Sequence, residues 1–154
     1  MSIDNEKVRM HRLPIYRVAL VRESSQPSIL NRIDTPRNVF EIASSYLEGA
    51  DREHFVVIML DTKNRVIGMN TVAIGMLSSC PIHPREVFKP AILANAAGII
   101  LLHNHPSGDP SPSQDDLLLT KRLREAGEVL GIRVVDHVIL GCANYASLKE
   151  RGQF

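Results

Sequence analysis

Cysteine is scarce in this chain. Cys80 and Cys142 are the two present in 154 residues, too few and too far apart for a disulfide framework or a cysteine-rich zinc site. Cys80 is read as a buried small residue. A surplus of either charge is also missing, since 18 basic and 17 acidic residues leave a formal charge of +1. Strong nonspecific binding to nucleic acid needs a basic face. The cluster Lys121, Arg122 and Arg124 reads first as the solvated side of a helix. No apolar run approaches the ~20 residues that cross a bilayer. The opening Met1-Ser2-Ile3-Asp4-Asn5-Glu6 lacks the apolar core of a signal peptide. A reducing cytoplasm is therefore the expected compartment, with residues 1–11 as a flexible tail. Repeats and low-complexity segments are absent. With 44% hydrophobic and 23% charged residues, the composition is that of a globular protein. The length suits one domain, expected over residues 12–154.

The β-branched run Ile15-Tyr16-Arg17-Val18-Ala19-Leu20-Val21 predicts a first strand. A polar stretch leads to Thr35-Pro36, a capping residue before a proline at the first helical position. Val39, Phe40, Ala43 and Leu47 then recur at helical spacing as far as Gly49. The apolar run Phe55 to Leu60, the turn-forming Asp61 to Asn64 and the β-rich Arg65 to Ile74 predict a hairpin. His83-Pro84 opens a helix expected to reach about Ala97, with Pro90 bending it. Gly98 to Leu102 is wholly apolar, as in a strand buried on both faces. A loop with four prolines or glycines in the seven residues Pro106 to Pro112 follows. The next helix starts at Ser113, carries Leu119, Leu123, Ala126 and Leu130 on one side, and ends at Gly131. An apolar strand from Ile132 to Leu140, a turn and Tyr145-Ala146-Ser147-Leu148 complete the chain. This alternation predicts the α/β class: a mixed β-sheet flanked by helices, with a hairpin near its middle. An apolar hairpin ending at a sheet edge invites pairing between copies, which leaves a homo-oligomer open.

The chemistry concentrates in residues 103–116, His-Asn-His-Pro-Ser-Gly-Asp-Pro-Ser-Pro-Ser-Gln-Asp-Asp. Residues two apart on a strand point to one face, so His103 and His105 at a strand exit can aim two imidazoles at one point. The proline-rich loop then turns the chain, and the next helix sets Asp116 in its first turn. Two histidines, one carboxylate and an open fourth position describe a catalytic rather than a structural zinc site; zinc suits such ligands, although the spacing alone also admits manganese, iron or nickel. Asp109 and Asp115 are the alternative carboxylates if the register differs by one. Ser113 to Asp116 also reads as a plain helix cap, with its acid complementing the dipole. His137, in an apolar strand, reads as a satisfied core residue or a group behind the ligands.

The spacing His-x-His, seven residues, Ser, two residues, Asp resembles the motif of the JAMM metallopeptidases, also called MPN+ or JAB1. The string His103-Asn104-His105-Pro106-Ser107-Gly108-Asp109-Pro110 is similar to the RadC branch of that superfamily. Residues 83–88, 136–141 and 147–152 also resemble RadC stretches, and the likeness covers residues 12 to 154. At Cys80, RadC-like sequences more often carry serine. The resemblance implies a JAB/MPN architecture, layered like the cytidine deaminases. The deaminases' own His-x-Glu and Pro-Cys-x-x-Cys signature is absent. It also implies that His103, His105 and Asp116 hold Zn2+, with a water at the fourth position acidified toward neutrality. Ser113 matches the motif serine that helps hold an oxyanion.

The resemblance further requires a glutamate from an upstream strand as general base. Glu53 fits best, 50 positions before His103 at the entry to the apolar run from Phe55. Glu86 is the rival, although the first turn of a helix gives it a simpler use against the dipole. The implied activity is zinc-dependent hydrolysis of a peptide or isopeptide amide, with a peptide or protein as substrate. The other reading is a non-catalytic metal-binding accessory module in DNA repair, DNA processing or mobile-element biology. RadC proteins also carry an N-terminal helix-hairpin-helix region associated with DNA binding. Residues 1–50 are expected to supply only a tail, a strand and one helix, so a DNA partner is weakly implied. The presence of Glu53, His103, His105, Ser113 and Asp116 together favours the enzyme.

Overall fold

A computed structural model of the chain describes residues 11–75 and 82–154. The expectations for residues 1–10 and for Cys80 lie outside these. Among the described residues the order is α1 (Pro36–Tyr46), β1 (His54–Leu60), β2 (Val66–Ile74), α2 (Pro84–Leu93), β3 (Gly98–Asn104), α3 (Gln114–Leu130), β4 (Arg133–Leu140) and β5 (Tyr145–Ser147). The strands form one mixed sheet in the order β2-β1-β3-β4-β5. β3 and β4 run parallel, with α3 as the crossover between them, and the other neighbours are antiparallel. The α/β class and the helix-flanked mixed sheet are thus as expected. The hairpin, central in the sequence, lies at one end of the sheet, with β2 as an edge strand.

Alternation along the strands divides the core between two faces. Phe55, Val57, Met59, Ile99 and Leu101 pack with Val87, Phe88 and Ala91 of α2 and Leu123 of α3. Val56, Ile58, Leu60, Ile100 and Leu102 face the other way, onto Val39, Ile42 and Ala43 of α1. Every residue of β3 is buried, as its unbroken apolar run predicts. Near its C-terminal end α3 comes very close to the chain that follows it. A Cβ on Gly127 would stand 2.5 Å from the Ile132 carbonyl oxygen and 3.2 Å from the Phe88 ring.

Two expectations change. Ile15 to Val21 form no strand: the segment joins no sheet, and Ile15 and Val21 are 98% and 86% exposed. β-Rich composition makes a strand only where a partner edge pairs with it. The α2 helix ends at Leu93 rather than near Ala97, because Asn95 turns to a positive φ of 51° before Ala96 returns toward the core. Among the described residues, no helix is long and apolar enough to cross a membrane.

Candidate metal centre

Strand β3 delivers His103 to the face covered by α2 and α3, following Ile99 and Leu101 at period two. Phe55 lies directly opposite on β1, its ring stacked on the His103 imidazole at 6.0 Å between centroids. His105 stands just beyond the strand, where its N–H donates to the Leu140 carbonyl at 2.8 Å. The chain then turns through Gly108, whose φ of 87° suits glycine. A Cβ on Gly141 would stand 2.2 Å from Asn144 Oδ1 and 2.4 Å from the Gly108 oxygen. The absence of a side chain at 141 therefore lets the β4–β5 turn seat this loop. The loop in turn brings the Asp109 carbonyl to 2.8 Å from His105 Nδ1.

Helix α3 begins with a reciprocal cap. Ser113 Oγ accepts from the Asp116 N–H at 3.1 Å, and Asp116 Oδ2 accepts from the Ser113 N–H at 2.8 Å. The cap and the helix dipole both favour an ionised carboxylate at this third helical position. Held so, Asp116 Oδ1 lies 3.3 Å from His103 Nε2, Asp116 Oδ2 lies 3.7 Å from His105 Nε2, and the two Nε2 atoms are 3.0 Å apart. His103, His105 and Asp116 are the one group of described His, Cys, Asp or Glu side chains whose ligand atoms gather within 4.8 Å.

The residues fit a metal on two counts. Tetrahedral ligands about 2.0–2.2 Å from an ion stand roughly 3.3–3.6 Å apart, close to the separations here. The proton positions agree as well. The Asp109 carbonyl can only accept, so His105 carries a proton on Nδ1 and, when neutral, a bare lone pair on Nε2. That lone pair faces a buried carboxylate, and the pocket attracts positive charge. Hydrogen bonding to Asp116 raises the His105 imidazole above its usual value against the effect of burial, with the Asp109 carbonyl and the charges of Asp116 and Glu53 adding to it. Burial pushes the Asp116 carboxyl up, but the imidazoles of His103 and His105 outweigh it and hold the group far below the usual carboxylate range.

The two candidate bases sit in different surroundings. Glu53 is half-buried, and its charge acts on His105. Glu86 is exposed on α2 and paired with Lys89 at 2.7 Å and Arg85 at 3.6 Å. Asp115 is exposed, and the Asp109 carboxylate turns to the Ser111 N–H, so neither joins the group. His137 is fully buried behind His103, their Nε2 and Nδ1 atoms 2.8 Å apart, and is no part of the ligand group. Sequence reasoning missed Asn104 and Thr120. The Asn104 amide accepts from the His54 N–H at 2.7 Å and donates to the Arg52 carbonyl at 3.0 Å, bracketing Glu53. Its position between the two histidines was the available signal, since alternation turns it to the opposite face from His103.

A mixed-sheet α/β domain with two imidazoles at a strand exit and a carboxylate in the next helix cap defines a protein with a candidate metal site. The family model described as the RadC-like JAB domain matches residues 33–153, and the chain belongs to that family. It is 50% identical over 129 residues to a UPF0758 protein of Desulfitobacterium hafniense, covering 84% of this chain and 57% of the relative. A UPF0758 protein of Shouchella clausii is 52% identical over 122 residues, 79% of this chain and 53% of the relative. Another from Moorella thermoacetica is 52% identical over 119 residues, 77% and 52% of the two chains. The chain spans about half the length of these curated relatives.

Proposed function

We propose that the protein is a zinc-dependent hydrolase of the JAMM type that cleaves a peptide or isopeptide amide. The observation that carries this reading is the convergence of His103, His105 and Asp116, whose ligand atoms lie within 4.8 Å of one another. A divalent cation there supplies Lewis acidity toward a carbonyl oxygen and acidifies water. Glu53 takes the proton of the attacking water on its carboxylate and passes it to the leaving nitrogen. Ser113 Oγ accepts from the Asp116 N–H, so its own proton is left to donate to the oxyanion. Asn104 and the Gly75 N–H, which donates to the Glu53 carbonyl at 2.8 Å, hold the backbone on which the base is carried.

Elemental analysis of untagged protein tests the site, beside His103→Ala and Asp116→Ala. About one zinc per chain, lost in both variants, is expected; a chain that takes up no zinc even when it is supplied ends the hydrolase reading. A peptide and isopeptide screen follows, in which Glu53→Gln retains zinc but loses roughly 10²-fold or more in rate. Full zinc occupancy with no hydrolysis would favour the accessory-module reading, with DNA as the partner to test.

A further inference from the structure

Behind His103 runs a buried chain of hydrogen bonds. His103 Nδ1 lies 2.8 Å from His137 Nε2, His137 Nδ1 lies 2.6 Å from Thr120 Oγ1, and Thr120 Oγ1 lies 2.6 Å from the Asp116 carbonyl oxygen. His103, His137 and Thr120 are at most 1% exposed, so water does not compete for these bonds. The circuit starts at one candidate ligand and returns to the residue that supplies another.

The direction of every bond follows from its far end. A backbone carbonyl only accepts, so the single Thr120 hydroxyl proton goes to Asp116. Thr120 Oγ1 can then only accept from His137, whose proton must sit on Nδ1. Neither ring contact of His137 is an anion, and the ring is fully buried, so a second proton on it would be a buried charge with no partner. Its Nε2 is therefore an acceptor, and His103 must donate from Nδ1. A neutral His103 is left with a bare Nε2, the atom that faces His105 and Asp116.

We propose that Thr120 and His137 are positioning residues that fix the His103 proton on Nδ1 and so present its Nε2 lone pair to the metal. The proposal rests on the metal reading above and deepens it, because a ligating histidine needs its other nitrogen held by a partner that sets the tautomer. Without the Thr120 hydroxyl, the His137 Nδ1–H has no acceptor. The cheaper arrangement reverses the relay: His137 donates from Nε2, and the His103 proton moves to Nε2, where it blocks the metal.

Histidine-ring 15N NMR of the metal-free 154-residue chain at neutral pH reads the tautomers directly, with each ring assigned by single substitution. Zinc competition against a chromophoric chelator supplies affinities. Wild type and Thr120→Ser should both hold His103 and His137 as Nδ1–H tautomers. Thr120→Val should show His103 shifting to Nε2–H and zinc affinity falling about 10–100-fold, with Thr120→Ser within about threefold of wild type. An Nε2–H tautomer of His103 in the wild type, or tautomers and affinity unmoved by Thr120→Val, overturns the relay. A wild-type chain that takes up no zinc defeats the metal reading instead, and the tautomers, read without metal, still decide the relay.

Discussion

Asn104 sits between two candidate ligands in sequence yet works on another strand. Its amide closes hydrogen bonds to the residues on either side of Glu53. Asn104→Ala leaves the His54 N–H without its acceptor, while the Arg52 carbonyl keeps only His54 Nδ1 at 3.0 Å, a loss of about 1–3 kcal/mol measurable by chemical denaturation. If Glu53 is the base, the hydrolytic rate should fall much more than zinc affinity does. Glu86→Gln is the matched control: an exposed, lysine-paired carboxylate whose loss should stay within about 0.5 kcal/mol and leave the rate unchanged. The convergence of the candidate group His103, His105 and Asp116 was legible because a strand's period of two and a helix cap are local rules. Thr120 was within reach of the same reasoning, one helical turn after Asp116. Alternation also put Asn104 on the face opposite His103, but its partners were not legible, because they depend on the β1–β3 register, which no short stretch of sequence encodes.

Most elements were legible for a similar reason. The cap at Thr35, the glycine ending α3 and the apolar runs of β1 and β3 each act over a few residues. The segment Ile15 to Val21 misled because strand formation is settled by a partner edge. The connection after β4 carries its own testable chemistry. Asp136 accepts from the N–H groups of His137 and Lys149 and from the Ser147 hydroxyl, tying β4 to the end of β5. Burial nevertheless raises its carboxyl above the ordinary 3.8, against the pull of Ser147 and the two N–H groups. A folded-state value above the unfolded one favours folding at low pH, and that advantage is lost as pH rises through the folded value. Denaturation of wild type and Asp136→Asn at pH 4 and pH 7 should therefore find the wild type losing ground to the variant as pH increases. The opposite trend would mean that the three donors outweigh burial.

At the scale of the molecule, the candidate chemistry lies where the parallel strands β3 and β4 end, the usual position for ligands in open α/β sheets. A surface groove of about 860 Å3 lies at the far end of α3, bordered by Pro36, Arg124, Asp136 and Phe154, and contains none of the candidate ligands. Helix α3 therefore joins two unlike regions, with Asp116 in its first turn and Gly127 against the Ile132 carbonyl about three turns later. A straight helix behaves as a lever. A methyl group added at Gly127 pushes one end off the sheet, and the tilt reaches a carboxylate about 16 Å away. If the site takes zinc, Gly127→Ala should thus weaken its binding without touching a candidate ligand, a loss visible in the same chelator competition while the fold persists by circular dichroism. Affinity for the metal then becomes a gauge of how well the opposite end of the domain is packed.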